Sequence, residues 1–161
     1  MNIFIVHAHP ESQSFTSAMK DAAVADFTAA GHQVVVSDLY AMNWNPVASA
    51  ADFGTRGNAD YMNYALEQRT NADAQTLSAD IVAELEKLEA ADLVIFSFPL
   101  YWFSVPAIMK GWFDRVLVSG RVYGGRRFYD QGGMKGKRAM LALTTGGRDH
   151  MLAEGGIHGD I

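Results

Sequence analysis

Four short apolar runs constrain the fold of this chain more than any other feature. They occupy residues 3–6, 32–39, 92–98 and 138–145, and segments with helical spacing lie between them. Short runs rich in Ile and Val are typical of strands buried on both faces of a sheet. Strands that alternate with helices predict an α/β fold, with a doubly wound parallel sheet covered by helices on both sides.

Three helices are predicted from N-cap residues followed by apolar spacing. Ser14 precedes an alanine-rich segment that ends before Gly31, a residue suited to a left-handed C-terminus. Ser78 and Ser104 precede two further patterned segments, which we expect to be helices. In the first of the three segments, Phe15, Ala18, Met19 and Ala22 have helical spacing.

Residues 40–77 show no sustained period and contain several Asn, Pro and Gly residues. We interpret this segment as an excursion from the sheet, with one short helix near the sequence YMNYALEQ. A connection this long inside a compact domain is usually functional or contacts a partner.

Composition excludes several classes of function. The 161 residues carry a formal net charge of −5, which argues against a general nucleic-acid surface, and the absence of cysteine excludes disulfides and thiolate chemistry. His7 and His9 form an HxH pair, but such a pair by itself does not make a metal site, so no metal site is expected. No signal peptide or membrane-spanning stretch is recognisable, so we expect a cytoplasmic protein without stable membrane insertion.

The segments that follow the first, third and fourth strands read HAHPESQSF, PLYWF and TTGG. In a parallel sheet they meet beyond the carboxyl ends of the strands, where ligands bind. A helix N-terminus favours an anion, aromatic rings favour a flat heteroaromatic group, and glycines permit its close approach. Taken singly, each segment has a structural alternative: a capped helix start, two aromatic core residues (Trp102 and Phe103), and a tight turn. Together they favour a flat heteroaromatic cofactor.

Several longer segments resemble the NAD(P)H:quinone oxidoreductase (DT-diaphorase) family. These are SDLYAMNWNP, DIVAELEKLEAADLVIFSFPLYWFSVPAIMKGWFDRV, LTTGG and GIHGD, in family order and spacing. The resemblance covers almost the whole chain, is weak over residues 48–77, and indicates a bacterial-type homologue. It implies a flavodoxin-like fold with strand order 2-1-3-4 in a single flavin-binding domain over residues 1–161.

The resemblance also implies a homodimer that binds FAD, with FMN as the alternative, and that uses NAD(P)H as co-substrate. The implied flavin contacts are His9, Phe15 and Thr16 at the diphosphate and ribose, Leu100, Tyr101, Trp102 and Phe103 around the ring, and Thr144, Thr145, Gly146 and Gly147 at its other polar edge. Asn63 corresponds to a residue that reaches the flavin from the second subunit, and Val122, Tyr123 and Gly124 to residues that flank the nicotinamide and quinone pocket.

The chain departs from the family pattern at two places. His158 corresponds to a histidine that the family pairs with a tyrosine in a proposed proton relay, but Leu152 stands at the tyrosine position. His158 is therefore expected to act alone or through water. The sequence also stops before the helix and fifth strand that the family adds, so we expect a shortened chain whose fourth strand is left as an apolar edge.

The implied reaction is a ping-pong reduction. NAD(P)H passes hydride to flavin N5, the oxidised nucleotide leaves, and a small-molecule quinone takes hydride at the same site. Two other functions stay open at this point: a regulatory flavoprotein subunit of a potassium-efflux system, and a one-electron carrier of the flavodoxin type.

Overall fold

The computed structural model describes residues 1–157 and 159. Its strands and helices are β1 (Asn2–His7), α1 (Phe15–Ala29), β2 (Gln33–Asp38), α2 (Tyr64–Ala74), α3 (Ala79–Ala90), β3 (Leu93–Pro99), α4 (Ala107–Val116), β4 (Arg138–Thr144) and α5 (Asp149–Leu152), with 3₁₀ turns at Ala50–Asp52 and Tyr129–Gln131. The strands pair in parallel in the order β2-β1-β3-β4, which confirms the predicted flavodoxin-like order. Within these residues, no helix is long and apolar enough to cross a membrane.

The core forms on both faces of the two central strands. On one face Phe4 packs with Trp112 of α4 in a large cluster that also includes residues of α3. On the other face Ile3 and Ile5 pack against residues of α1. β1 is buried along nearly its whole length, as predicted, because it has a strand on each side and helices above and below.

The two outer strands are less buried than the apolar runs predict. β2 is exposed at Gln33 and Val35, which lie on one face of the sheet, while Ser37 on the same face is buried. β4 is largely exposed: Met140 retains 51% and Leu141 61% of their accessible surface. The predicted apolar edge is therefore present at β4.

The predicted first helix is present as α1, but the residues that marked its spacing are not the ones that pack against the sheet. Phe15 is 73% exposed and Ala18 also lies on the surface, whereas Ala23, Val24 and Phe27 pack against the sheet. An alanine-rich helix has apolar residues on more than one face, so their spacing alone did not decide which face turns inward. The helix ends are as predicted: Ser14 accepts a hydrogen bond from the amide of Ser17, and Gly31 follows the helix with φ +81°.

The predicted start of α4 at Ser104 is wrong. The helix begins at Ala107, with Pro106 at the N-cap position. Ser104 instead closes a turn with Tyr101. Its amide donates to the Tyr101 carbonyl, and its carbonyl accepts from the Tyr101 amide, each at 3.0 Å. The helix start is thereby displaced, and the aromatic residues between Tyr101 and Ser104 stand outside α4.

The excursion at residues 40–77 contains a longer helix than predicted. α2 has 11 residues, is capped by Asn63, and ends at Gln75 in a left-handed conformation. Its buried face includes Glu67, Gln68 and Asn71, which are polar. Because the inward face is not apolar, no hydrophobic period marks this helix in the sequence.

An ion pair that is almost wholly buried fixes the excursion to α4. The Arg115 guanidinium donates to Asp52 Oδ1 at 2.8 and 3.1 Å and to the Asn45 carbonyl at 2.9 Å, and it pairs with Asp80 at 2.7 Å. It also lies over the ring of Trp44, 4.7 Å from the centroid. Every charge in this cluster therefore has a partner of opposite sign.

A backbone contact lies beside this cluster. Gly111 in α4 faces Pro46, and a Cβ built on Gly111 would stand 2.1 Å from the Pro46 carbonyl oxygen. Real Cβ atoms do not approach backbone that closely, so only glycine lets the excursion pass directly over the helix.

Candidate functional site

A cavity of 390 Å³ opens at the carboxyl edge of the sheet, where the loops after β3 and β4 meet. Most of the lining surface is apolar, as expected for a site that takes a flat organic group. The lining residues are Leu100, Trp102, Phe103, Thr145, Gly146, Gly147, Met151 and Leu152. Six of these are residues that the sequence analysis assigned to the flavin.

The loop after β3 holds two aromatic residues in an unusual backbone conformation. Trp102 has φ +50° and Phe103 φ +59°, inside a turn closed by reciprocal hydrogen bonds between Tyr101 and Ser104. Two central residues with positive φ are the mark of a type I′ turn, which normally carries Asn-Gly. Bulky residues in that conformation are strained, and such strain concentrates at functional sites.

The side chains of this turn face outward. Trp102 is 96% exposed and Phe103 60% exposed. The alternative interpretation, in which both residues belong to the core, is therefore wrong. A strained backbone that presents aromatic rings beside a cavity is what a stacking site for a planar ligand requires.

The loop after β1 is joined to the same cavity wall. Thr16 Oγ1 lies 2.8 Å from Thr144 Oγ1, and Leu100 donates its amide to the Thr144 carbonyl at 2.8 Å. Nδ1 of His9 accepts a hydrogen bond from the Glu11 amide at 3.0 Å, which folds the loop back on itself. All three loops are therefore connected by hydrogen bonds at the strand ends.

The first turn of α1 has backbone donors to offer. In the part of the chain that the structure describes, the amides of Phe15 and Thr16 have no acceptor. Such orphan amides, together with the helix dipole, favour an anion. The hydroxyl of Ser14 donates to Ser17 Oγ at 2.9 Å, so its proton is not directed at such an anion.

One predicted site segment, residues 122–124, lies elsewhere in the protomer. Val122, Tyr123 and Gly124 follow Arg121, which pairs with Glu89 in the last turn of α3, at the amino end of the sheet. None of the three lines the cavity, which lies about 20 Å away across the length of a strand.

Asn63, another predicted site residue, also lies away from the cavity. Asn63 Oδ1 accepts from the Leu66 amide at the start of α2 and lines a separate cleft. His158 lies outside the described residues. Met151 contributes to the cavity wall and was not predicted, because nothing in its sequence neighbourhood distinguishes it. Leu152, noted as the replacement for a tyrosine, lines the same wall.

A family model described as the flavodoxin-like fold matches residues 1–161. NAD(P)H dehydrogenase [quinone] 1 of Rattus norvegicus is 51% identical over 158 residues, 98% of this chain and 58% of that protein. Ribosyldihydronicotinamide dehydrogenase [quinone] of Mus musculus is 47% identical over 160 residues, 99% of this chain and 69% of that protein. The chain belongs to the flavodoxin-like NAD(P)H:quinone oxidoreductase family.

A solved structure agrees with this membership. A quinone reductase structure from Klebsiella pneumoniae, described as putative in function, superposes with a TM-score of 0.88 at 44% identity, over 98% of this chain and 64% of that one. The chain thus spans about three fifths to two thirds of the length of these family members.

Proposed function

We propose that the chain is a flavin-dependent NAD(P)H:quinone oxidoreductase that binds FAD in the cavity at the carboxyl edge of the sheet. The observation that carries this proposal is the strained turn at Trp102 and Phe103, which stands exposed opposite Gly146 and Gly147. FMN is the alternative cofactor. The chain's membership of the NAD(P)H:quinone oxidoreductase family also supports the proposed flavin-dependent function.

The residues present fit a flavin. A Cβ built on Gly146 would meet nothing within 4 Å, so the backbone opposite the aromatic turn leaves room for a planar ring. The free amides of Phe15 and Thr16 suit a phosphate at the other end of such a cofactor. When bound, a flavin supplies hydride transfer from NAD(P)H to a quinone in two half-reactions at one site.

The protein residues would position the reactants and exclude water. Trp102 and Phe103 would stack on the cofactor ring, while Leu100 and Leu152 make the cavity wall apolar. The turn is already in its strained conformation, so no ordering of the loop is needed when the ligand arrives. Preorganisation of this kind lowers the entropic cost of binding.

The simplest experiment is to incubate the purified chain with excess FAD or FMN and to follow flavin fluorescence. We expect quenching with FAD, followed by bleaching of the flavin absorbance on NAD(P)H addition and its return on addition of a quinone. Flavin binding without turnover would instead favour the regulatory subunit, and reduction in single-electron steps would favour the carrier. No binding of either flavin would refute the proposal.

His158 is proposed to donate a proton to the quinone oxygen or to offset charge on the reduced cofactor. Leu152 offers no hydrogen bond from the position of the family tyrosine. We expect His158→Ala to slow flavin reduction in single-turnover mixing, by less than the factor of about 100 to 1,000 typical of an essential donor, since water reaches an open pocket. His158→Gln controls for side-chain volume. An unchanged rate from pH 5 to 8 in both variants would make this histidine structural.

We also propose a homodimer. Val122, Tyr123 and Gly124, and also Asn63, lie away from the cavity of their own protomer, so their proposed roles at nicotinamide and flavin require a second chain. Size-exclusion chromatography with light scattering, on protein saturated with FAD, should give twice the protomer mass. A monomer that catalyses quinone reduction would contradict the dimer.

A further inference from the structure

A histidine buried under the first loop has no role in the function proposed above. His7, the last residue of β1, is 1% exposed. Its Nδ1 lies 3.1 Å from Ser97 Oγ at the end of β3, and its Nε2 lies 3.2 Å from Ser17 Oγ in the first turn of α1. The ring therefore bridges the sheet and the helix directly below the loop formed by residues 9–14.

The hydrogen bonds around Ser17 determine which nitrogen of His7 carries the proton. The Ser17 hydroxyl donates to the Glu11 carbonyl at 3.0 Å and accepts from Ser14 Oγ at 2.9 Å. A serine hydroxyl has a single proton, so Ser17 must accept from His7. His7 therefore carries hydrogen on Nε2, and in the neutral ring its Nδ1 accepts from Ser97.

This network reaches the candidate site through neighbouring residues. The Glu11 carbonyl, which accepts a hydrogen bond from the Ser17 hydroxyl, also accepts one from the Ser14 amide. The Glu11 side chain accepts a hydrogen bond from the Gln13 amide. Thr16, next to Ser17, bonds to Thr144, whose neighbour Thr145 lines the cavity. A shift of Ser17 would therefore move both the loop and the free amides that follow it.

We propose that His7 is a positioning residue that, through its Nε2–H donor, holds the loop 9–14 and the first turn of α1 in the geometry that receives the flavin. The inference rests on the proposed flavin site for its ligand, but the network itself is present without one. His7 touches Ser17 and Ser97 and does not line the cavity, so it acts through the loop.

The surroundings keep the ring neutral. Burial lowers the pKa of His7 below its ordinary 6.5, and Lys20 and His9 act in the same direction, while Asp38 and Asp21 oppose it. In the unfolded chain His7 takes up a proton near pH 6.5, whereas the folded protein does so only at lower pH. Stability attributable to this group is complete above pH 6.5 and falls as the pH drops below it.

The variants His7→Leu and His7→Gln separate positioning from packing. Leucine fills the space without a donor, whereas the amide of glutamine can donate to Ser17 from near the Nε2 position. We expect His7→Leu to weaken FAD binding roughly fivefold, the effect of one ordinary hydrogen bond, and His7→Gln to restore most of that affinity. Ser17→Ala should resemble His7→Leu, and Ser97→Ala should leave FAD affinity unchanged.

Nuclear magnetic resonance of the flavin-free protein supplies a readout independent of the cofactor. Imidazole ¹⁵N shifts should show the Nε2–H tautomer at pH 7, and His7→Leu should shift the amide signals of Thr16 and Ser14 while Ser97→Ala does not. In His7→Leu the free energy of unfolding should depend less steeply on pH below 6.5 than in the wild type.

Each possible result either supports or overturns the proposed role of His7. A charged ring or the Nδ1–H tautomer at pH 7, or wild-type FAD affinity in both His7→Leu and Ser17→Ala, would overturn the assignment. If His7→Leu does not fold, Ser17→Ala carries the same test. If the wild type binds neither FAD nor FMN, the proposed function fails, and the tautomer and the loop amide shifts still decide whether His7 positions the loop.

Discussion

The turn at residues 101–104 and the excursion at residues 40–77 depart from an ordinary domain in opposite ways. The turn exposes large aromatic side chains and holds its backbone in a strained conformation. The excursion buries polar and charged side chains, among them Asp52, Glu67 and Asn71, and gives them hydrogen-bond partners. The turn exposes side chains of a kind that proteins usually bury, and the excursion buries side chains of a kind that they usually expose.

In the excursion, the burial of polar side chains is compensated within the protomer. Asp52 accepts hydrogen bonds from Tyr64 and Ser49 and is paired with Arg115, so its burial is balanced. Burial, with the hydrogen bond to Asp52, also raises the pKa of Tyr64 above its ordinary value, which keeps this donor protonated. The turn keeps its strained backbone while the Trp102 side chain is 96% exposed, which supports the binding role proposed above. We call the excursion the anchor, and we call the turn, whose role in flavin binding is proposed, the receptor.

The largest expected effect comes from breaking the anchor. Arg115→Met leaves two carboxylates without their cation, and we expect the free energy of unfolding to fall by about 3 kcal/mol. Lys110→Met, on the same helix, removes an exposed pair with Asp114 and should change stability by less than about 0.5 kcal/mol. Urea unfolding measures both. Similar losses in the two variants would mean that the buried pair is no more important than the exposed one.

The next effect concerns the receptor. Trp102→Ala should weaken FAD binding at least about fivefold, because a stacked aromatic pair contributes about 1 kcal/mol beyond its buried area. The melting temperature should stay within a degree or so of the wild type, since the ring is almost fully exposed. Trp102→Phe keeps a ring and should retain most of the affinity. A lower melting temperature with unchanged affinity would make Trp102 a packing residue.

The smallest effect tests the strain itself. Trp102→Gly and Trp102→Ala both remove the ring, but only glycine adopts φ +50° without steric cost. We expect the glycine variant to be more stable than the alanine variant by about 0.5 kcal/mol, with equally weak FAD binding. Differential scanning calorimetry on the two proteins side by side resolves such a difference. Equal melting temperatures would show that the turn stores little strain.

The parallel sheet was predictable because apolar runs alternate with helical segments, whereas the strand order 2-1-3-4 was implied by the family resemblance. The cavity loops were predictable for the same reason, as the carboxyl ends of β3 and β4 must meet. The outer strands were predicted as too buried, because a run of Val residues does not tell whether a second neighbour is present.

Three features could not be read from local pattern. α2 turns polar residues inward, so it has no hydrophobic period, and the turn at Trp102 displaces the start of α4 from Ser104 to Pro106. His7 was considered only as a metal ligand, since its partners Ser17 and Ser97 lie on other elements of the fold. Each depends on contacts between distant segments, which spacing along the chain does not reveal.

The contact between Gly111 and Pro46 has a consequence for how the molecule opens. Long connections are usually the first parts of a protein to exchange their amide hydrogens, because they unfold locally. Here a connection passes with its backbone against a core helix, and the nearby Arg115 joins the two by charge. Residues near Pro46 should therefore be protected from exchange to the same degree as α4, and the two segments should open as one cooperative unit.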